Sequence, residues 1–264
     1  MIFETAFESI LANWHLILLF FTAAILYSSV GFGGGSSYLA ILALAGIAFT
    51  QIRATALLCN IVVVFGNVLL FYEQKNIPWK KVVPIVLWSV PLAYLGGKLS
   101  INKTLFFILL GFTLLFAALS MWVSKRLVAT SKEKKPHHGF KNSFFGGGIG
   151  FLSGMVGIGG GIFLAPLLHL SYWDTPKKIA ATASFFILVN SIAGIFGLFS
   201  NPNLQVDWMF TSILMGTVFV GGQIGLRVSN TILTPELLKK ATAILIGSVS
   251  IRILCKYLLP FFAS

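Results

Sequence analysis

The chain has 264 residues, 57% of them hydrophobic and only 10% charged, and its 19 basic and 7 acidic residues leave a net charge of +12. Soluble domains carry about 25% charged residues. A chain this poor in charge, with a mean hydropathy of +0.91, cannot cover its surface in water, which excludes a cytosolic enzyme, a disordered protein and a nucleic-acid module. The positive charge sits in short tracts between long apolar runs, the pattern of cytoplasmic loops in membrane proteins.

A helix that spans the hydrocarbon needs about 20 apolar residues. The first candidate covers 10–30. It follows an acidic start, Glu4 and Glu8, without the basic stretch of a cleaved signal peptide, so it is expected to be retained. A glycine cluster at 31–35 and a short apolar run, 36–49, come next. Spans are predicted at 55–72, 82–99 (which contains Pro91) and 104–123, joined by loops at 50–54, 73–81 and 100–104. The stretch 124–141 is polar, with Lys125, Arg126, Lys132, Lys134, Lys135 and Lys141 against Glu133. An apolar run at 142–156, a second glycine cluster at 157–161 and a second short run, 162–172, follow. Spans at 180–199, 208–226 and 241–259 complete the order. Pro78, Trp79, Trp173, Pro176 and Trp208 mark segment ends, where an aromatic belt lies. Cys59 and Cys255 both fall inside apolar runs, and no disulfide framework or metal-ligand spacing is visible.

The chain repeats itself. Val30-Gly31-Phe32-Gly33-Gly34-Gly35 matches Val156-Gly157-Ile158-Gly159-Gly160-Gly161 at an offset of 126. Ala54-Thr55-Ala56 matches Ala181-Thr182-Ala183 at 127, and Leu95–Ser100 matches Ile224–Ser229 at 129. A slowly drifting offset is the mark of a duplicated unit of about 125 residues. The units are 1–123, a first transmembrane repeat; 124–141, a basic cytoplasmic linker; and 142–264, a second transmembrane repeat. With the linker inside, span counting puts 73–81, 173–179 and 227–240 in the cytoplasm. The loops 50–54, 100–104 and 200–207 fall outside, although Lys98 and Lys103 lie on that side. Matching loops, 73–81 and 200–207, then face opposite sides, as in inverted-topology repeats. The expected fold is all-α and polytopic, with 8–10 membrane segments. Each repeat has a glycine-broken helix pair, crossing or re-entrant, and three long spans.

Irregular backbone in a bilayer is tolerated only where protein or a water-filled cavity surrounds it. The clusters Gly33-Gly34-Gly35-Ser36 and Gly159-Gly160-Gly161 can each expose backbone N–H groups at the start of a short helix. Such helix starts favour anions, and paired broken helices form substrate sites in transporters. Close packing through small residues is the alternative. Thr55 and Thr182, at equivalent places, can bond an oxyanion, cap a helix or bond back to the i−4 carbonyl. Asn190 and Asn60 are buried amides that line a cavity or tie helices together. Lys98 and Arg227 are equivalent basic residues at span ends; they either snorkel or form anion-attracting vestibules, with Gln223 one turn before Arg227. His169 stands in the second short run as a packed or interfacial residue or a reactive one, while His137 and His138 lie in the linker. All seven acids fall in loops or at segment ends, so a proton relay of intramembrane carboxylates is not expected. No nucleophile, zinc or phosphate-binding motif is present. No catalytic residue, metal or cofactor is assigned.

The glycine motifs, extended in the second half by Ala165-Pro166-Leu167-Leu168 and Ala181-Thr182-Ala183-Ser184, resemble those of the sulfite exporter TauE/SafE family, also called the toluene sulfonate uptake permease family. The segments Leu95-Gly96-Gly97-Lys98 and Ile224-Gly225-Leu226-Arg227 are similar to that family too. The resemblance covers residues 10–259. Ser36-Ser37 stands where the family has an apolar pair, and Ala40 where the second half has Pro166. The resemblance implies a non-enzymatic transporter of sulfite, thiosulfate, sulfate or organosulfonates. The expected setting is a multi-pass protein of the bacterial inner membrane. The lipid bilayer and a small sulfur-containing anion are its expected partners, without nucleic acid; a homo-oligomer stays open. Export is favoured over import, because a negative interior expels an anion and no cation site is visible. An anion channel, or an importer of an organosulfonate or other small organic anion, is the alternative.

Overall fold

The computed structural model describes residues 2–128, 139–171, 173–202, 204–228 and 235–262. Ten helices and no strand occur among them: α1 Ile2–Ser29, α2 Gly35–Leu44, α3 Phe49–Glu73, α4 Trp79–Lys98, α5 Lys103–Val128, α6 Gly139–Val156, α7 Gly161–Leu170, α8 Pro176–Phe199, α9 Trp208–Val228 and α10 Pro235–Phe262. The fold is all-α. By length and composition α3, α8 and the Trp208–Arg227 part of α9 can each cross a membrane.

Local chemistry sets the helix ends. Asn102 accepts a hydrogen bond from the Leu105 N–H at 2.8 Å and Asp207 one from the Phe210 N–H at 3.0 Å, side-chain caps for α5 and α9. Pro176 opens α8, where its missing N–H costs nothing. One predicted boundary is corrected. Residues 50–54 are not a loop: α3 begins at Phe49 and buries this stretch in its first turns. The helix absorbs it because nothing in Thr50–Ala54 breaks a helix, and burial removes Arg53 from solvent. The linker 124–141 lies partly outside the described residues, as does the loop 227–240.

The order long–short–long–long–long occurs twice, and the packing follows it. The α4–α6 contact has its counterpart in α9–α1, α4–α8 in α9–α3, and α5–α7 in α10–α2; α3 packs on α8 and α5 on α10. A methyl group at Gly96 would strike the Phe151 carbonyl, and one at Gly225 the Ile25 carbonyl. Small residues thus let backbones meet at both matching contacts. On α6 the stripe Gly146, Gly150 and Gly154 lies against Ile85, Ser89 and Ala93 of α4.

Contacts fix the two ends of the bundle. At one, Lys81 Nζ lies 2.7 Å from Asp174 Oδ2 and donates to the Trp173 carbonyl. At the other, the Asp207 N–H donates to Gln51 Oε1 at 2.7 Å, Tyr94 OH meets Ser200 Oγ at 3.2 Å, and Asn201 donates to Ser100. Helices α3 and α8 therefore run antiparallel. The outside of the bundle is apolar, with Leu87, Trp88, Phe196 and Ile244 each at least 60% exposed. Water penalises such a surface and a bilayer does not.

Candidate functional site

The chain turns between α1 and α2 at residues 30–34, and between α6 and α7 at 157–160. The residue before each short helix is a glycine in the left-handed region: Gly34 at φ 83°, Gly160 at φ 79°. A side chain there is disfavoured. The Gly34 carbonyl accepts from the N–H groups of Ser37 and Tyr38, and the Gly160 carbonyl from those of Phe163 and Leu164. Among the described residues, the N–H groups of Gly35 and Ser36, and those of Gly161 and Ile162, meet no backbone acceptor. No side chain caps either helix. Each turn thus offers unsatisfied donors and the positive end of a helix dipole.

The two turns adjoin across one side chain. Asn60, fully buried on α3, donates from Nδ2 to the Ile158 carbonyl of the second turn at 3.0 Å. A methyl group at Gly33 would lie 2.6 Å from its Oδ1, and one at Gly159 2.9 Å from its Nδ2; one at Gly35 would collide with Nδ2 and lie 2.6 Å from the Ile158 carbonyl. The Asn60 Oδ1 has no hydrogen-bond partner among the described residues. From α8, Ser184 Oγ donates to the Gly31 carbonyl. Hence α3 of the first half holds the second turn, and α8 of the second half holds the first.

The structure brings Gly33, Gly35 and Gly159 together at Asn60, with Gly34, Gly160, Gly161 and Ser36 beside them in the same turns and helix starts. The Ser36 hydroxyl lies 3.4 Å from the Tyr27 hydroxyl. Thr55 is engaged elsewhere: its Oγ1 meets Thr211 Oγ1 at 3.1 Å and Gln51 Nε2 at 3.2 Å, in a polar knot between α3 and α9. Thr182 donates to the Lys178 carbonyl one turn back at 2.8 Å. Asn190 is fully buried and donates to the Phe186 carbonyl at 2.8 Å, leaving its Oδ1 without a partner among the described residues. Lys98 and Arg227 are exposed in the last turns of α4 and α9, at opposite ends of the bundle, where positive charge suits the helix dipole. His169 lies in the last turn of α7.

Sequence reasoning passed over Arg53 and undervalued Asn60. Arg53 is only 2% exposed, and its Nη2 donates to the carbonyls of Gly96, Gly97 and Gly154 at 3.4, 3.1 and 3.3 Å. No carboxylate pairs with it among the described residues. Arg53 and Asn60 stand seven residues apart, on one face of α3. That spacing was the available signal, once α3 is known to begin before residue 53. Among the described residues no group of His, Cys, Asp and Glu side chains can hold a metal ion.

Residues 16–253 match the family described as sulfite exporter TauE/SafE. The chain belongs to this family. Among its relatives, a probable membrane transporter protein of Sinorhizobium fredii is 30% identical over 247 residues, covering 90% of this chain and 97% of the relative. A probable membrane transporter protein of Methanocaldococcus jannaschii is 30% identical, covering 74% of this chain and 75% of its own, and one of Bacillus subtilis is 23% identical over 73% and 77%. No solved structure matches the chain. The TauE/SafE membership, the relatives and the apolar helices make the protein a multi-pass membrane transporter.

Proposed function

We propose that this TauE/SafE protein is a secondary transporter that exports small sulfur-containing anions: sulfite, thiosulfate, sulfate or organosulfonates. Alternating access around the two glycine turns is its mechanism. One observation carries the reading: two equivalent turns, each opening a short helix with unsatisfied N–H groups, adjoin at Asn60. Backbone donors hold an oxyanion by several bonds at once without a buried cation to trap it, so binding stays weak enough for release.

In this reading the halves 1–123 and 142–264 are inverted-topology repeats, each with a glycine-broken helix pair, joined by a cytoplasmic linker at 124–141. The antiparallel course of α3 and α8 and the reciprocal helix pairs support it. The substrate lies between Gly33–Ser36 and Gly159–Gly161, with Asn190 beside it, and Lys98 and Arg227 attract anions to the two mouths; Thr55 and Thr182, bonded to Thr211 and to the Lys178 carbonyl, serve the helices instead. Moving one charge through 100 mV is worth about 2.3 kcal/mol, so a negative interior drives an uncoupled monoanion outward by about 50-fold.

The test is exchange in proteoliposomes. Protein loaded with unlabelled sulfite, thiosulfate or an organosulfonate should accumulate the labelled anion by counterflow, with saturable rates. No counterflow of any of these anions refutes the transport reading. Single-channel currents without counterflow convert it to a channel.

A further inference from the structure

The two glycine turns share left-handed glycines at Gly31 and Gly157 and at Gly34 and Gly160, but not their side chains. At the offset of 126 that relates them, four hydroxyl-bearing residues flanking the first turn, Tyr27 on α1 and Ser36, Ser37 and Tyr38 on α2, correspond to Ser153, Ile162, Phe163 and Leu164 around the second. The first half thus carries four hydroxyls where the second carries one. They form a cluster: Ser37 Oγ donates to the Tyr27 hydroxyl at 3.0 Å, and Ser36 Oγ lies 3.4 Å from that same hydroxyl. Tyr38 is fully buried, its ring stacked on Phe20 at 4.7 Å, and its hydroxyl has no partner among the described residues. That hydroxyl lies over the start of α2, 3.0 Å from where a methyl group at Gly34 would sit. A buried donor left unmatched costs free energy, so such a group points to a missing ligand. At the start of the same helix the N–H groups of Gly35 and Ser36 meet no backbone acceptor among the described residues.

All of these donors are neutral. The nearest groups that a side chain at Gly31, Gly33, Gly34 or Gly35 would meet belong to Phe71, Ser184, Asn60, Val64, Tyr27, Tyr38 and the Ile158 carbonyl, and these are uncharged. The desolvation cost of an ion grows with the square of its charge, so a doubly charged anion loses about four times as much as a singly charged one on leaving water. Hydrogen bonds from neutral donors grow far less steeply with charge.

We propose that the hydroxyls of Tyr27, Ser36, Ser37 and Tyr38, with the first N–H groups of α2, form a half-site for a singly charged oxyanion. The proposal rests on the transport reading above and narrows it to the charge of the substrate and to one of the two turns. Size alone does not decide: sulfate and methanesulfonate are of similar bulk, and only the second carries a single charge.

The experiment measures anion affinity of the purified full-length protein in lipid nanodiscs by calorimetry, with methanesulfonate and sulfate as probes. Wild type should bind methanesulfonate at least about tenfold more tightly than sulfate. Tyr38→Phe should weaken methanesulfonate binding by about tenfold, the effect of one lost hydrogen bond to a charged group. Its melting temperature without anion should stay unchanged. The double variant Ser36→Ala, Ser37→Ala should weaken binding too, and it decides the matter if Tyr38→Phe does not fold. Equal affinity for both anions in wild type, or wild-type methanesulfonate affinity in the variants, overturns the half-site. If anion counterflow persists in those cases, the transport reading stands without it. A wild type that neither binds nor exchanges any of these anions overturns both.

Discussion

Replacing Arg53 by methionine tests whether a buried cation can be held by helix ends alone. The last four carbonyls of a helix lack partners within it. In α4 the Leu95 carbonyl accepts from the Leu99 N–H, and in α6 the Ser153 carbonyl accepts from the Gly157 N–H. Gly96 and Gly97 of α4 and Gly154 of α6 are among the carbonyls that remain, and Arg53 Nη2 donates to all three. Two helix C-termini together carry about one negative charge, which explains a 2% exposed guanidinium without a carboxylate. Methionine matches the length of the stem but donates nothing. Each buried acceptor left unmatched costs about 1–3 kcal/mol. The bonds are long, at 3.1–3.4 Å, and the variant escapes the desolvation of the charge. We therefore take the low end, a net loss of about 3 kcal/mol. At about 2–4 °C per kcal/mol for a chain of this size, the melting midpoint of the purified protein in detergent should fall by about 6–12 °C. Arg53→Lys keeps the charge but not the fork and should fall by less. A methionine variant melting within about 2 °C of wild type, or a lysine variant less stable than it, refutes the argument.

Other outcomes are expected at the turns, the mouths and the loops. Gly34→Ala, Gly160→Ala and Gly46→Ala share a left-handed penalty of about 1–2 kcal/mol. The new methyl group lies 3.0 Å from Tyr38 in the first and 2.8 Å from Phe186 in the second, while it meets nothing within 4 Å in the third; anion affinity should be lost in the first two only, and calorimetry checks it. Lys98→Gln and Arg227→Gln should slow anion counterflow several-fold at low salt without loss of expression; normal rates in both would leave these residues a snorkelling role. Burial opposes ionisation of Asp174, but the Lys81 hydrogen bond, the Thr175 N–H and the charges of Lys81 and Lys178 outweigh it and lower its pKa. Its stabilising effect is therefore complete above the ordinary carboxylate pKa of about 4 and fades as pH falls through the lowered value. With Lys81 half exposed the effect is under about 1 kcal/mol, and Asp174→Asn should flatten the acid limb of the melting-temperature profile. On a background lacking Cys59 and Cys255, an impermeant thiol reagent should reach Pro202→Cys from outside and Gln74→Cys from the cytoplasm; labelling of both from one side rules out inverted halves.

Composition and runs of apolar residues determine by themselves that this chain lives in a membrane and where its helices lie, because hydrophobic length and glycine or proline breaks act locally. The predicted span 180–199 lies inside α8 and the short run 162–172 nearly coincides with α7. The duplication, too, is legible in the glycine motifs, since both halves need a left-handed residue immediately before the short helix, Gly34 before α2 and Gly160 before α7. Contacts between distant residues were not legible. Arg53 read as a loop residue because a charge beside an apolar run looks like a boundary; only the carbonyls of Gly96, Gly97 and Gly154, brought in by α4 and α6, let the helix start before it. Thr55 and Thr182 are equivalent in sequence, yet one meets α9 and the other its own helix. Asn60 gains its place because the turn it meets, at Ile158, lies 98 residues away. Backbone conformation follows from nearby residues; the partner of a buried polar group follows from which helices pack, and that the tertiary structure alone decides.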